Sequence, residues 1–274
     1  METETMDRKK IVCKIKRVVI KIGTNVLTHG QYRLDSSLME HLGEQVSWLV
    51  DRKRQVVIVT SGAIGAGMQI LGWKKRPKKI EKLQTAASVG QSRLMRFYER
   101  IFREEGHNVG QVLLTRDIFE SRERRRIARA TLETLLAERI IPIVNENDAV
   151  AVEEIKFGDN DQLSAMVVEL LDADALVLLS NVDGFFTIDP KDGNRKSHLQ
   201  GEIVGIREKH RKIAIAGRPS DSGSGGMASK IRAIEYLLKR GKVCFLANGM
   251  RPWIIKKIFE GQQVGTIFIP RRMV

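Results

Sequence analysis

Seven short runs, at 18–20, 56–59, 110–114, 140–144, 175–179, 243–246 and 266–269, are rich in apolar residues and largely continuous rather than alternating. A strand with one wet face alternates apolar and polar side chains, whereas a strand covered on both faces does not. Between the runs the spacing turns helical. From about Ser37, the residues Leu38, Leu42, Val46 and Leu49 share one face, and Glu40 three positions on predicts a capping box. Helical spacing returns at 128–138, 162–171 and 230–239. The last of these places Ile231, Ile234, Leu237 and Leu238 on one side and ends at Gly241, a residue suited to the left-handed turn after a helix. Covered strands alternating with amphipathic helices predict an α/β fold built on a mostly parallel sheet. No segment has linker composition and no repeat is present, so one domain is expected.

Composition narrows the partners. Hydrophobic residues at 42% and charged residues at 29% are ordinary for a globular chain, while the formal charge of +14 predicts attraction for anions. The basic residues lie in scattered clumps such as Lys74-Lys75-Arg76, Lys78-Lys79, the segment 122–129 and Arg271-Arg272, the pattern of solvated faces. Aromatics at 5% supply little of the stacking surface that single-stranded nucleic acid uses, so nucleic acid is not an expected partner. Cys13 and Cys244 stand far apart in no metal or redox spacing. Residues 1–10 are polar and charged, and no run reaches the ~20 apolar residues of a membrane span. A cytoplasmic protein without membrane association is the expectation.

Four strand ends carry chemistry. In Lys21-Ile22-Gly23-Thr24, a lysine at the tip of a buried strand sits beside a glycine whose bare backbone admits phosphate oxygens. In Thr60-Ser61-Gly62-Ala63-Ile64-Gly65-Ala66-Gly67, small residues at a strand-to-helix turn offer unpaired N–H donors to a carboxylate or a phosphate. The same glycines would equally serve close helix packing. The third end gathers Asn145, Asp148, Asn160 and Asp161, amides and carboxylates that suit a zwitterion or a metal ion. The spacing fits no EF-hand, and no His or Cys joins them, so a dedicated transition-metal site is not expected. The fourth end, Ser222-Gly223-Ser224-Gly225-Gly226-Met227-Ala228-Ser229-Lys230, runs a glycine-rich loop into a helix with a lysine in its first turn. Backbone donors, helix dipole and point charge together suit a nucleotide polyphosphate. Two lysines, a phosphate cradle and an amino-acid-like pocket point to phosphoryl transfer, which needs positive charge more than a nucleophilic side chain.

The motifs Val-Ile-Lys-Ile-Gly-Thr (19–24), Val-Thr-Ser-Gly-Ala-Ile (59–64), Val-Gly-Gln-Ser-Arg-Leu (89–94), Leu-Leu-Thr-Arg (113–116), Val-Asn-Glu-Asn-Asp-Ala-Val (144–150), Gly-Asp-Asn-Asp (158–161) and Gly-Gly-Met-Ala-Ser-Lys (225–230) resemble the amino acid kinase family, in its branch acting on glutamate. The resemblance implies a three-layer αβα sandwich over residues 11–274. Its N-terminal half, about 11–170, would bind L-glutamate, and its C-terminal half, about 171–274, would bind ATP with Mg²⁺. It implies ATP-dependent phosphorylation of the glutamate side-chain carboxylate, the opening step of proline synthesis. Lys21, Lys230 and Asp161 match catalytic positions. Ser61, Gly62, Ala63, Asn145, Asp148 and Asn160 match the substrate pocket. Lys21, Gly23, Ser180, Asn181 and residues Ser224 to Lys230 match nucleotide contacts, with Ser180-Asn181 standing where the family often has Thr-Asp. Ile127 stands where the family usually has asparagine. Feedback by L-proline and a homo-oligomer, dimer or tetramer, are implied on the same ground. Many members carry a further PUA domain, which is not expected in this sequence. A sibling kinase with another acceptor, or a basic RNA-binding or regulatory protein on a degenerate kinase fold, are the alternatives.

Overall fold

Each of the seven runs becomes a strand, and with one further short strand they join into a single eight-stranded sheet. The computed structural model describes residues 7–28, 33–150, 160–187, 197–216 and 226–273. The strands are β1 (Arg17–Ile22), β2 (Gln55–Val59), β3 (Val109–Leu114), β4 (Ile141–Glu146), β5 (Ala175–Ser180), β6 (Phe185–Phe186), β7 (Leu199–Gln200), β8 (Glu202–Val204), β9 (Val243–Asn248) and β10 (Thr266–Ile269). The helices are α1 (Arg8–Val12), α2 (Thr24–Thr28), α3 (Ser36–Asp51), α4 (Ala63–Ile70), α5 (Ile80–Glu104), α6 (Asp117–Glu120), α7 (Arg122–Ala137), α8 (Asn160–Leu170), α9 (Glu208–Ala216), α10 (Met227–Lys239) and α11 (Ile254–Phe259).

The sheet order is β3-β4-β2-β1-β5-β9-β10-β8, with β6 and β7 forming a separate two-stranded pair. Within the eight-stranded sheet every neighbouring pair is parallel except β9 and β10, and the β6–β7 pair is antiparallel. The expected mostly parallel sheet is therefore observed. Its center is β1, pairing with β2 on one side and β5 on the other.

The side-chain period of two sorts the strand residues onto two faces. Val18, Ile20 and Ile22 of β1 join Ile58, Ile143 and Leu179 in a cluster with α3, α5 and α11. Val19 faces the other way, into a cluster with Val57, Val144 and Leu178 beneath α7, α8 and α10. Lys21 has the parity of Val19, and Asn145 has the parity of Ile143. The two polar strand tips thus open toward opposite layers, and this decides what each can meet.

Two local departures from the sequence reading have clear causes. The helix expected from Ser37 begins at Ser36, and its cap is the side chain of Asp35, which accepts from the Leu38 amide at 3.0 Å. A carboxylate at the true N-cap satisfies an amide there directly. Glu40 is thereby free of any capping duty and pairs with Arg100 of α5 at 2.6 Å. The longest helix, α5, was not predicted at all. Its buried positions, Leu83, Ala86, Ala87, Gly90, Leu94, Tyr98, Ile101 and Phe102, do follow helical spacing, but several are small residues with little hydropathic weight. They are small because α4 lies very close. A Cβ on Gly67 would stand 1.7 Å from the Ala86 carbonyl oxygen, and one on Gly90 would stand 1.8 Å from that of Ala63. The packing reading of the 62–67 glycines thus holds for Gly67. Gly62, at φ 98°, instead makes the left-handed turn that starts α4.

At the far end of the sheet, the expected stop at Gly241 takes the form of a Schellman motif. Gly241, at φ 75°, donates its amide to Leu238, and Lys242 donates to Leu237. No helix among the described residues is long and apolar enough to cross a membrane.

Candidate active site

The C-terminal ends of the central parallel strands hold two polar assemblies, side by side. The first is a charge cluster on the α8 and α10 face. Asp161, in the first turn of α8, is completely buried. Its Oδ1 lies 2.8 Å from Lys21 Nζ at the tip of β1, and its Oδ2 lies 3.0 Å from Lys230 Nζ in the first turn of α10. Both lysines are themselves buried, at 7% and 6% exposure. Burial pushes the Asp161 carboxyl upward, but the two ammonium groups outweigh it and bring its pKa from 3.8 down to about 2. Asp161 therefore stays ionised at neutral pH and holds both lysines at one point.

The backbone around this cluster is left open. Gly23 follows β1, and a Cβ there would stand 3.3 Å from the Leu179 carbonyl oxygen and 3.6 Å from Lys21 Nζ. Gly226 is the N-cap of α10, faces open space and makes no side-chain capping bond of its own. Met227 and Ala228 are half-buried there and Ser229 is buried. Ser180 ends β5 on the same face as Leu178 and is 8% exposed, while Asn181 beside it is exposed. Ser224 and Gly225 lie outside the described residues.

The second assembly is a set of amides on the opposite side of β1, over the ends of β2 and β4. Asn160 Nδ2 donates to the Thr60 carbonyl oxygen at 2.7 Å, to Ser61 Oγ at 2.9 Å and to Asn145 Oδ1 at 3.1 Å. Asn145 Nδ2 in turn donates to Gln91 Oε1 on α5 at 2.8 Å. Thr60 Oγ1 is bonded to Tyr98 OH, also on α5, at 2.7 Å. Since Asn160 and Asp161 are consecutive, one helix turn fastens the amide assembly and the charge cluster together. Gly62 and Ala63 begin α4 beside Ser61, and Asp148 sits half-buried on the turn after β4.

The structure thus brings together Lys21, Asp161 and Lys230, and separately Ser61, Asn145 and Asn160. Gln91 joins the second group although the residue-level reading gave it no role. The available signal was its place in Val-Gly-Gln-Ser-Arg-Leu (89–94), one of the motifs of the resemblance. Among the described residues no three His, Cys, Asp or Glu side chains are placed to hold a metal ion. Both Asp161 oxygens already face ammonium groups.

The sequence profile of the amino acid kinase family matches residues 16–248. The chain belongs to the amino acid kinase family. Among relatives in this family, the glutamate 5-kinase of Geobacter metallireducens is 46% identical over 267 residues, covering 97% of this chain and 70% of that protein. The glutamate 5-kinase of Clostridium acetobutylicum is 44% identical over 264 residues, covering 96% and 98%. Solved structures of the same fold include the UMP kinase of Bacillus anthracis, with a TM-score of 0.60 at 18% identity over 93% of this chain and 96% of that one. The isopentenyl phosphate kinase of T. acidophilum gives 0.62 at 16% identity over 92% and 99%. These two likenesses speak for the αβα fold alone.

Proposed function

We propose that this chain transfers the γ-phosphoryl group of ATP to the side-chain carboxylate of L-glutamate, forming L-glutamyl 5-phosphate and ADP at the start of proline synthesis. The observation that carries the reading is the convergence of Lys21 and Lys230 on the single buried carboxylate of Asp161. Similarity to curated glutamate 5-kinases over nearly the whole chain supports the choice of acceptor.

In this reading a glutamate carboxylate oxygen forms the new P–O bond while the bond to the β-phosphate oxygen breaks and ADP leaves. A Glu side chain with pKa about 4.3 is already ionised at neutral pH, so no general base is needed. The difficulty lies in bringing two anions together. Lys21 and Lys230 supply charge to the oxygens of the transferring group, and Asp161 keeps both ammonium groups aimed at it. Ser61, Gly62, Ala63, Asn145, Asp148 and Asn160 hold glutamate in the N-terminal half, with Asp148 facing the substrate ammonium. Gly23, Ser180, Asn181 and the segment from Ser224 to Lys230 hold ATP in the C-terminal half. A Mg²⁺ ion arriving with ATP would supply further positive charge to the phosphates beside Lys21 and Lys230; among the described residues no three His, Cys, Asp or Glu side chains are placed to hold it independently of the nucleotide. Proline shares the α-ammonium and α-carboxylate of glutamate, so inhibition by proline at this pocket is relieved by excess glutamate. The chain acts as a homo-oligomer.

A panel of acceptors tests the reading. With Mg²⁺ and ATP present, L-glutamate supports ADP formation, and L-aspartate, shorter by one methylene, has kcat/KM lower by roughly 10–200-fold. N-acetyl-L-glutamate and UMP support none. Preferred turnover of either would replace the proposal with a sibling activity.

A further inference from the structure

The amide assembly has a direction. The Thr60 carbonyl oxygen can only accept, so the Asn160 nitrogen must be the atom facing it. Asn160 therefore also donates to Asn145 Oδ1, which turns Asn145 Nδ2 toward Gln91 Oε1. The chain of bonds fixes all three amide orientations from one unambiguous anchor. It leaves one group unused at each end. Asn160 Oδ1 and Gln91 Nε2 are both shielded from water and have no hydrogen-bond partner among the described residues. Buried orphans of this kind are uncommon and destabilising unless something else satisfies them.

The two unused groups are complementary to a zwitterion. One is an acceptor suited to an ammonium group, and the other is a donor suited to a carboxylate. Their order across the sheet also matters. Running outward from β1, the site presents Lys21 with Asp161, then Asn160 over the end of β2, then Asn145 at the end of β4, then Gln91 on α5. The reacting carboxylate must lie at the lysines, so the opposite end of an amino acid lies toward Gln91. Gln91 cannot easily drift from this place. The adjoining Gly90 rests against the backbone of Ala63 and Gly67, where no Cβ would fit.

We infer that Gln91 is a substrate-recognition residue whose Nε2 donates to the α-carboxylate of the bound amino acid, while Asn160 Oδ1 accepts from its ammonium group. This rests on the glutamate reading above. It assigns to α5, a helix outside the strand-end motifs, the discrimination between an α-amino acid and a simple amine bearing a distal carboxylate.

Two variants and one truncated substrate test it. Gln91→Met removes the donor at similar volume. Gln91→Glu keeps an acceptor for Asn145 Nδ2 but removes the donor and adds a negative charge. The truncated substrate is 4-aminobutanoate, which is glutamate without its α-carboxylate. Gln91→Met raises KM for glutamate by roughly 10–100-fold, the effect of losing one hydrogen bond to a charged group. Its KM for ATP stays within about threefold, because the nucleotide contacts lie across β1. Gln91→Glu raises KM for glutamate at least as much. The preference of the wild type for glutamate over 4-aminobutanoate shrinks in both variants. Circular dichroism and the ATP titration report folding, and the near-isosteric Gln91→Glu serves if Gln91→Met does not fold. A normal glutamate KM in Gln91→Glu, or an undiminished preference over 4-aminobutanoate, would overturn the assignment and leave Gln91 as a support for Asn145. A wild type without glutamate-dependent turnover would instead overturn the functional reading itself, and this inference with it.

Discussion

Replacing either Lys21 or Lys230 with Met lowers turnover by roughly 10²–10³-fold, the usual consequence of removing one preorganised electrostatic contact to a developing charge. Methionine keeps most of the buried stem, and Asp161 keeps the other lysine as its partner, so each single variant loses stability but stays folded and keeps its affinity for glutamate. Lys21 sits on β1 and Lys230 on α10, yet both reach the same carboxylate, at 2.8 and 3.0 Å. In the proposed reaction both act on one transferring group and are not independent. The double variant therefore loses less than the product of the single losses. Steady-state kinetics at saturating ATP and glutamate reads both effects. A folded single variant with turnover within threefold of the wild type would contradict the two-lysine arrangement.

Asp161→Asn gives the second large effect, on stability. The carboxylate is fully buried between two buried ammonium groups, and removing one partner from such a cluster typically costs about 3–5 kcal/mol. The difference from wild type depends on pH in a definite sense. Because the folded pKa lies below the ordinary 3.8, near 2, the wild-type advantage is complete above about pH 4 and is lost as the pH falls toward 2. Urea unfolding of both proteins at several pH values without ligands measures it. Equal stability at pH 7 would show that the carboxylate contributes nothing to holding the lysines.

How much of this was legible beforehand differs between the sheet and its surroundings. The covered strands announce themselves through continuous apolar runs, and the polar residues Lys21 and Asn145 at their tips stand out because buried strands rarely end that way, as do Asn160 and Asp161, which open α8. Spacing alone does not say that Lys21 and Lys230 meet. That follows from the strand order, which seats β1 beside β5, and from the parity that turns Lys21 with Val19 toward α8 and α10. The helix α5 went unread although Leu94, Tyr98, Ile101 and Phe102 in its C-terminal half have plain helical spacing; its N-terminal half was obscured for the opposite reason. It packs through Ala86, Ala87 and Gly90, whose value lies in being small enough for backbone contact rather than in hydropathy. Gln91 was hidden with it, since a polar residue on an unrecognised helix has no reason to be placed at a strand end. The cap at Asp35 went unread because Ser37 and Glu40 offered a familiar spacing nearby, and such spacings occur more often than they are used.

An acyl phosphate on the glutamate side chain is the product expected of this site, and hydroxylamine trapping examines it directly. Incubated with ATP, Mg²⁺, L-glutamate and hydroxylamine, the protein is predicted to produce γ-glutamyl hydroxamate in proportion to the ADP released, and none when ATP is omitted. ADP release without hydroxamate, or hydroxamate formation that survives the loss of ATP, would contradict it.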